Sequence, residues 1–185
     1  VRDSATTVKR FSMELGGNAP VIVAPSADLA AAAAHVIGNK MRCAGQTCVA
    51  PQRAFVHRSV YQEFLEPCTK IASDAQCGTL DEQANTGPLI DEASVFRMES
   101  LVADAVEKGA KIVCGGARPS DKKVGCYFLP TILTDVTPDM RVFREEVFGP
   151  LLALLPYDTE EDAIRMANNT EYGLSSYIWS NDVSQ

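Results

Sequence analysis

The sequence predicts an α/β fold: an open, mainly parallel sheet with helices on both faces. Strand patterns alternate with helix patterns along the chain, as they do in proteins built from β-α-β units. The strand patterns, such as Val21-Ile22-Val23 and Leu151 to Leu155, are apolar on both sides, which is typical of strands buried on both faces. Because no repeat, low-complexity tract or linker divides residues 1–185, we expect a single domain.

The first half of the chain predicts two strands and two helices. After the strand at Val21-Ile22-Val23, Ser26 is expected to cap a helix that contains the alanine-rich stretch. Arg53 to His57 is predicted to form the second strand. A second helix is expected to begin at Ser59, and Pro67 should kink or shorten it, because proline lacks the N–H group that a helix interior needs.

The second half contains the longest helical pattern, from Asp91 to Lys108, which Gly109 is expected to end. Its inward positions are predicted to be Leu101, Val102, Ala105 and Val106. Thr159 should cap a further helix that runs to Ala167. The remaining strands are predicted at Ile112-Val113, Phe128 to Leu133, Leu151 to Leu155 and Ser175 to Trp179.

Composition and charge argue against several classes of protein. The longest apolar runs are far shorter than a membrane span, and no signal segment opens the sequence. A formal charge of −7 without a Lys/Arg cluster argues against a nucleic-acid or membrane partner, so we expect a cytoplasmic protein. The six cysteines form no Cys-x-x-Cys pair and only two histidines are present, which disfavours a metal site. A disulfide framework is also disfavoured, and mostly free thiols are expected.

Three short motifs carry the residue types that covalent catalysis needs. Cys48 ends the tight turn Gly45-Gln46-Thr47-Cys48 and is the candidate nucleophile. Upstream, Glu14-Leu15-Gly16-Gly17 combines a carboxylate with two glycines, which permit close backbone approach to a ligand. Downstream lies Glu145-Glu146-Val147-Phe148-Gly149-Pro150, which suits a ligand clamp. Taken singly, each has a plainer explanation: an inert buried cysteine, a capping carboxylate and an acidic turn.

In this order the motifs resemble the catalytic part of the aldehyde dehydrogenase superfamily, over essentially the whole chain. The resemblance implies that Cys48 attacks an aldehyde to form a thioester and that Glu14 is the general base that activates water to hydrolyse it. It also implies a nicotinamide cofactor, NAD or NADP.

Further residues take cofactor-binding roles by the same resemblance. Leu15 and Gly16 would approach the nicotinamide, Glu146 would bond its ribose, and Phe148 would pack beside the ring. Arg97 could contact the far side of the cofactor, or could be a plain surface arginine of its helix.

Two residues near the nucleophile bear on substrate and regulation. Arg42 stands six residues before Cys48, where succinate-semialdehyde dehydrogenases carry an arginine that binds the substrate's distal carboxylate. The alternatives for Arg42 are a surface ion pair and a stabiliser of the thiolate. Cys43 stands where the family usually has asparagine, and it either fills the same space or could form a bridge with Cys48.

The resemblance also implies parts that this sequence lacks. No Gly-x-Gly-x-x-Gly follows a strand, so we expect the N-terminal cofactor-binding domain and the C-terminal oligomerisation segment to lie outside residues 1–185. The full-length protein is expected to be a homo-oligomer that acts on a small-molecule aldehyde. Two alternatives are a cofactor-independent thiol esterase or hydrolase that uses Cys48 and Glu14, and an inactive domain with a structural or interaction role.

Overall fold

The described strands of the chain form one sheet. The computed structural model describes residues 2, 6–122 and 124–184. The strands are β1 (Pro20–Val23), β2 (Arg53–His57), β3 (Lys111–Cys114), β4 (Thr131–Thr134), β5 (Leu151–Tyr157) and β6 (Tyr177–Trp179). They lie in the order β3-β4-β5-β2-β1-β6, and each neighbouring pair is parallel except β3 with β4. The prediction of an open, mainly parallel sheet is confirmed.

Helices cover both faces of this sheet, as predicted. The α-helices are α1 (Leu29–Met41), α2 (Tyr61–Asp74), α3 (Glu92–Glu107), α4 (Arg141–Arg144) and α5 (Glu160–Ala167). Alternate residues of a strand point to opposite faces. Accordingly, Ala54 and Val56 of β2 belong to the apolar cluster under α1 and α2, while Phe55 belongs to the cluster under α3, α4 and α5.

The predicted helix starts are correct for α3 and α5 and wrong for α1. Asp91 caps α3 by accepting a hydrogen bond from the Ser94 N–H, and Thr159 caps α5 in the same way through the Asp162 N–H. At α1 the cap is Asp28, not Ser26, because the Asp28 carboxylate accepts from the Ala31 N–H directly before the first helical turn.

The beginning and the length of α2 differ from the prediction. Ser59 lies in a 3₁₀ turn (Arg58–Val60), and α2 begins only at Tyr61. Pro67 does not shorten the helix, which continues to Asp74. The missing backbone hydrogen bond is tolerated because Cys68 and neighbouring apolar residues of α2 are buried against the sheet.

Three smaller predictions need correction. Val106 of α3 is 45% exposed, since the buried stripe of this helix runs through Leu101, Val102 and Ala105 and leaves Val106 at its margin. β4 begins at Thr131 rather than at Phe128, because the Leu129 N–H donates to Ala117 outside the sheet. β6 begins at Tyr177 rather than at Ser175. No described helix combines the length and the apolar character needed to cross a bilayer.

The topology places the three motifs at one edge of the sheet. The Glu14 turn (residues 14–17) precedes β1, the Cys48 turn (residues 42–50) precedes β2, and the Glu146 segment (residues 145–150) precedes β5. β5, β2 and β1 are adjacent and parallel, so their amino ends lie side by side. Residues that are distant in sequence therefore meet at the amino edge of the sheet.

Candidate active site

The three motifs come into direct backbone contact at this edge. A Cβ atom added at Gly17 would lie 2.1 Å from the Cys48 carbonyl oxygen, and one added at Gly45 would lie 2.1 Å from the Gly149 carbonyl oxygen. Only glycine permits backbone segments to approach this closely. The Cys48 turn therefore packs against the Glu14 turn on one side and against the Glu146 segment on the other.

A cleft of about 460 Å³ lies where the three segments meet. Its lining residues are Glu14, Leu15, Gly16, Gln46, Thr47, Cys48, Glu146 and Phe148. The candidate nucleophile and base thus share one cavity with four candidate cofactor-binding residues. Arg42 and Arg97 are the sequence-predicted site residues that do not line it.

The backbone of the Cys48 turn is left-handed over three residues and brings Cys48 into the lining of this cleft. Cys43 and Ala44 have φ angles of 51° and 53°, and Gly45 continues the left-handed run with φ 70°. Such angles are costly for residues with a Cβ and persist where the surroundings impose them. The run ends α1 abruptly, and Cys48 follows in a partly exposed position.

Gln46 fixes the Cys48 turn to a neighbouring loop. Its Nε2 donates to the Cys43 carbonyl at 2.9 Å and to the Pro88 carbonyl at 3.3 Å. Its Oε1 accepts from the Ile90 N–H at 2.8 Å. Gln46 therefore holds the turn of the candidate nucleophile in place, a role that no sequence pattern indicated.

Glu146 connects the Glu14 turn to its own segment. Its Oε1 accepts a hydrogen bond from the Gly17 N–H at 2.9 Å. A Cβ atom at Gly16 would lie 2.6 Å from Glu146 Oε2, so the carboxylate reaches this position only because residue 16 is glycine. Glu14 and Leu15 are exposed at the cleft, on the same turn.

A buried cation anchors the Glu14 turn from below. Arg53, which is fully buried, donates to the carbonyl oxygens of Asn18 at 2.9 Å, Ala167 at 3.0 Å and Met166 at 3.1 Å. Its guanidinium also stacks on the Phe143 ring, 5.0 Å from the ring centroid. Burial lowers the pKa of Arg53 to about 10. The turn is therefore tied to the end of α5.

Phe148 and Arg97 shape the Glu146 segment. Phe148 has a φ of 51° and leaves 43% of its surface exposed, so its ring is available at the cleft. Arg97 Nη2 donates to the Glu146 carbonyl at 2.6 Å, and its Nη1 forms an ion pair with Glu145 at 3.1 Å. Hydrogen bonds from Arg141, together with the charge of Arg97, lower the pKa of Glu145. Arg97 thus holds the segment, and its contact with a cofactor stays a prediction.

Lys40 is a buried lysine that the sequence analysis did not single out. It is 3% exposed, in the last turn of α1, and burial lowers its pKa to about 7 while the charge of Glu146 acts in the opposite direction. It falls at helical spacing from Val36 and Ile37, which are buried. A lysine on the apolar stripe of an amphipathic helix was the signal that could have identified it.

Arg42 and Cys43 lie at the end of α1 and are both exposed. Arg42 is the C-cap residue of the helix, outside the lining of the cleft. All six cysteines are free thiols, and Cys68 is the buried one, with a pKa that burial raises to about 12.

The two histidines have local partners. His35 packs against Trp179, and His57 Nδ1 is 2.8 Å from the Ser59 hydroxyl. Within residues 6–122 and 124–184, no group of three His, Cys, Asp or Glu side chains could hold a metal ion.

Comparisons with known proteins identify the family of this chain. The model of the aldehyde dehydrogenase family matches residues 1–185. Succinate-semialdehyde dehydrogenase [NADP(+)] GabD of Escherichia coli is 44% identical over 182 residues, which are 98% of this chain and 37% of that protein. The crystal structure of succinate-semialdehyde dehydrogenase from Burkholderia pseudomallei superimposes with a TM-score of 0.94 at 46% identity, over 99% of this chain and 38% of that one.

A second similar structure is that of a Mycobacterium tuberculosis aldehyde dehydrogenase complexed with NAD+. Its TM-score is 0.88 at 41% identity, and the match covers 92% of this chain and 36% of that one. The chain therefore spans little more than a third of the proteins that it matches. The family match over residues 1–185 and the high identity to these enzymes establish that the chain belongs to the aldehyde dehydrogenase family.

Proposed function

We propose that this chain is the catalytic domain of an NAD(P)-dependent aldehyde dehydrogenase that oxidises a small aldehyde to its carboxylic acid. The observation that carries the proposal is the shared cleft, in which Cys48 and Glu14 lie together with Glu146 and Phe148. A thiol and a carboxylate at one cavity can divide the reaction into an acylation and a hydrolysis. Succinate semialdehyde is the first candidate substrate, because two of the similar enzymes are named for it.

The residues around Glu146 have the chemistry needed to bind the nicotinamide end of a dinucleotide. Phe148 offers an exposed aromatic ring, and the Glu146 carboxylate offers acceptor oxygens for ribose hydroxyl groups. Gly16 has no Cβ to fill the space beside Glu146 Oε2. When bound, the cofactor accepts the hydride that the aldehyde carbon loses. The similar enzymes include one named for NADP(+) and one complexed with NAD+, so both forms belong to the proposal.

The residues of this chain then act in two half-reactions. In the first, the Cys48 thiolate attacks the carbonyl carbon and forms a C–S bond, and the Cys48 backbone N–H serves as one donor to the resulting oxyanion. Departure of the hydride from that carbon leaves a thioester on Cys48. In the second, Glu14 takes a proton from water, which attacks the thioester carbon. The C–S bond breaks, the acid leaves, and the Cys48 thiolate is regenerated.

The rest of the enzyme is proposed to lie outside these 185 residues. The chain covers about a third of its relatives, with 37% of the E. coli protein matched. We place the dinucleotide-binding domain, which provides the second oxyanion donor, and the oligomerisation segment in the remaining part. The full-length enzyme is proposed to be a homo-oligomer. We also propose that it is cytoplasmic, because the free thiols of this chain suit a reducing compartment.

The test is oxidation of succinate semialdehyde by the full-length enzyme with NAD+ and with NADP+, compared with the 185-residue chain alone. We expect turnover by the enzyme with at least one cofactor and none by the chain alone, because the chain lacks the dinucleotide-binding part. Absence of turnover by the full-length enzyme with a panel of small aldehydes would refute the proposal.

Glu14→Gln tests the assignment of the base. With an active ester as substrate, acylation of Cys48 should proceed and hydrolysis should stall, giving a burst followed by a steady rate lower by roughly a hundredfold or more. If burst and steady rate fall together, Glu14 serves Cys48 or the fold, not the water.

A further inference from the structure

Gln52 occupies a central position at the amino edge of the sheet. It directly precedes β2, the strand that lies between β1 and β5, and it is 2% exposed. Its own backbone is held on both sides: its N–H donates to the Ala19 carbonyl at 3.0 Å, and its carbonyl accepts from the Ala153 N–H at 3.1 Å. The side chain therefore projects from a fixed base.

The side-chain amide of Gln52 pairs with the backbone on both sides of Glu146. Its Nε2 donates to the Glu145 carbonyl at 2.6 Å, and its Oε1 accepts from the Val147 N–H at 2.8 Å. These two groups belong to the peptide units that flank the Glu146 Cα atom. The amide thus fixes both peptide planes, as the backbone of a neighbouring strand would.

Arg97 completes the arrangement from α3. The carbonyl of the peptide unit between Glu146 and Val147 accepts from Arg97 Nη2 at 2.6 Å, while the N–H of the same unit donates to Gln52. Both polar groups of this peptide unit are therefore held by side chains from two separate elements. The Glu146 carboxylate then extends from a fixed backbone to the Gly17 N–H.

We propose that Gln52 is the positioning residue of Glu146 and that it thereby sets the affinity of the enzyme for the nicotinamide end of the dinucleotide. This inference rests on the proposed function. The role needs one donor and one acceptor on two neighbouring atoms at the tip of one side chain, and the carboxamide of Gln52 provides both at any pH. Asparagine is one methylene shorter, and an ionised glutamate has the right length but no donor for the Glu145 carbonyl.

The experiment compares the full-length enzyme with its Gln52→Leu and Gln52→Glu variants, and uses Gln62→Leu as a matched control. Gln62 is exposed on α2, on the opposite face of the sheet from Arg97. Losing both amide contacts should raise the KM for the dinucleotide by roughly tenfold in Gln52→Leu. The KM for the aldehyde and the cofactor-independent hydrolysis of an active ester should stay unchanged, as should all three quantities in Gln62→Leu.

Gln52→Glu adds a readout that a general packing defect would not give. A buried carboxyl favours its neutral form, and that form can donate its O–H to the Glu145 carbonyl. The KM for the dinucleotide in Gln52→Glu, divided by the wild-type value at the same pH, should therefore fall as the pH is lowered. Because this substitution preserves size and shape, it serves as the test if Gln52→Leu does not fold.

Hydrogen exchange at the Val147 amide separates this inference from the function on which it rests. Its exchange should accelerate in Gln52→Leu relative to wild type, whether or not a dinucleotide binds. If the wild-type enzyme oxidises no aldehyde, the proposed function fails, and Val147 exchange still reports whether Gln52 holds the segment. If the wild type is active and Gln52→Leu has the same KM for the dinucleotide, the inference is overturned. It is also overturned if Gln52→Leu loses aldehyde oxidation and ester hydrolysis to the same extent.

Discussion

The Cys48 turn and the Glu146 segment both contribute candidate functional residues to one cleft, but backbone and side-chain contacts hold them in different proportions. The Cys48 turn depends on its backbone, with three successive left-handed residues and a glycine that touches the Gly149 carbonyl, and the side-chain amide of Gln46 adds three hydrogen bonds. The Glu146 segment has one left-handed residue, Phe148, and is held by the side chains of Gln52 and Arg97.

This difference predicts different responses to mutation. A backbone contact this close leaves no room for even one methyl group, so a Cβ added at Gly45 should abolish the geometry of the Cys48 turn. A contact made by a side chain can be weakened one hydrogen bond at a time, each contributing about 0.5–1.5 kcal/mol. Backbone changes should therefore leave the Cys48 turn either intact or lost, whereas side-chain changes should shift the position of the Glu146 segment by degrees.

Among the substitutions that separate the two regions, Gly45→Ala should have the largest effect on stability and on acylation of Cys48. The added Cβ would lie 2.1 Å from the Gly149 carbonyl oxygen, and the φ of 70° would be strained for alanine. We expect the free energy of unfolding in urea to fall by at least about 2 kcal/mol and acylation of Cys48 by an active ester to be lost.

Gly38→Ala is the matched control on the helix that precedes the turn. Gly38 lies within α1, and nothing lies within 4 Å of a Cβ added there. Because alanine has the higher helix propensity, this change should raise the free energy of unfolding by about 0.5–1 kcal/mol and leave acylation unchanged. Normal stability and normal acylation in Gly45→Ala would show that the Cys48 turn is not fixed by its backbone.

Arg42→Leu and Arg97→Leu should separate the two regions by ligand. If Arg42 binds a substrate carboxylate, its loss in the full-length enzyme should raise the KM for succinate semialdehyde by about one to two powers of ten, and the KM for an uncharged aldehyde of similar length far less. Arg97→Leu should instead raise the KM for the dinucleotide, because Arg97 holds the Glu146 carbonyl.

An equal loss of rate with both aldehydes in Arg42→Leu would assign Arg42 to the thiolate instead of the substrate. No change with either aldehyde would make it a surface residue. In both cases the semialdehyde assignment would lose the support of this residue.

Lys40→Met should have the smallest effect of these substitutions, and its effect on the free energy of unfolding should depend on pH. The folded pKa of Lys40 is about 7, below the ordinary 10.5, because burial disfavours its charged form. Between pH 7 and 10.5 Lys40 binds more protons in the unfolded chain than in the folded one, so its contribution to the free energy of unfolding rises with pH. Below pH 7 Lys40 is protonated in both states, and the cost of burying its charge no longer changes with pH.

The measurement is the free energy of unfolding of wild type minus that of Lys40→Met. From pH 7 to 8.5 this difference should rise by about 1–2 kcal/mol. If the difference in the free energy of unfolding stays constant from pH 7 to 8.5, the pKa of Lys40 is not lowered in the folded protein. Glu146 links this test to the cofactor clamp, because its charge raises the pKa of Lys40.

The sequence was informative about motifs and strands and much less so about supporting contacts. Local patterns predicted the strands, the start of a helix at Asp91, the cap at Thr159 and the presence of three motifs. The cap at Ser26 was wrong because Asp28, two residues later, competes for the same role. Such choices between neighbouring polar residues depend on the turn that precedes the helix.

The supporting roles of Gln52 and Arg97 depend on contacts between residues that are far apart in the chain. Gln52 lies more than ninety positions from the backbone that it holds, with sequence separations of 93 and 95 residues. No spacing rule connects them. The order β5-β2-β1, which brings them together, follows from packing of the whole sheet. Once that order is known, the position of each motif before a strand explains why the three meet.

The most direct test of the central claim, that Cys48 is the nucleophile of a site formed by the three motifs, is the location of the acyl group. The Glu14→Gln form of the full-length enzyme would be treated briefly with an active ester and mapped by mass spectrometry of its cysteine peptides. We expect the acyl group on Cys48, with none on buried Cys68, whose pKa is raised to about 12, and complete loss of the adduct in Cys48→Ala. An adduct on Cys43, or one shared equally among the six thiols, would show that Cys48 is not the nucleophile.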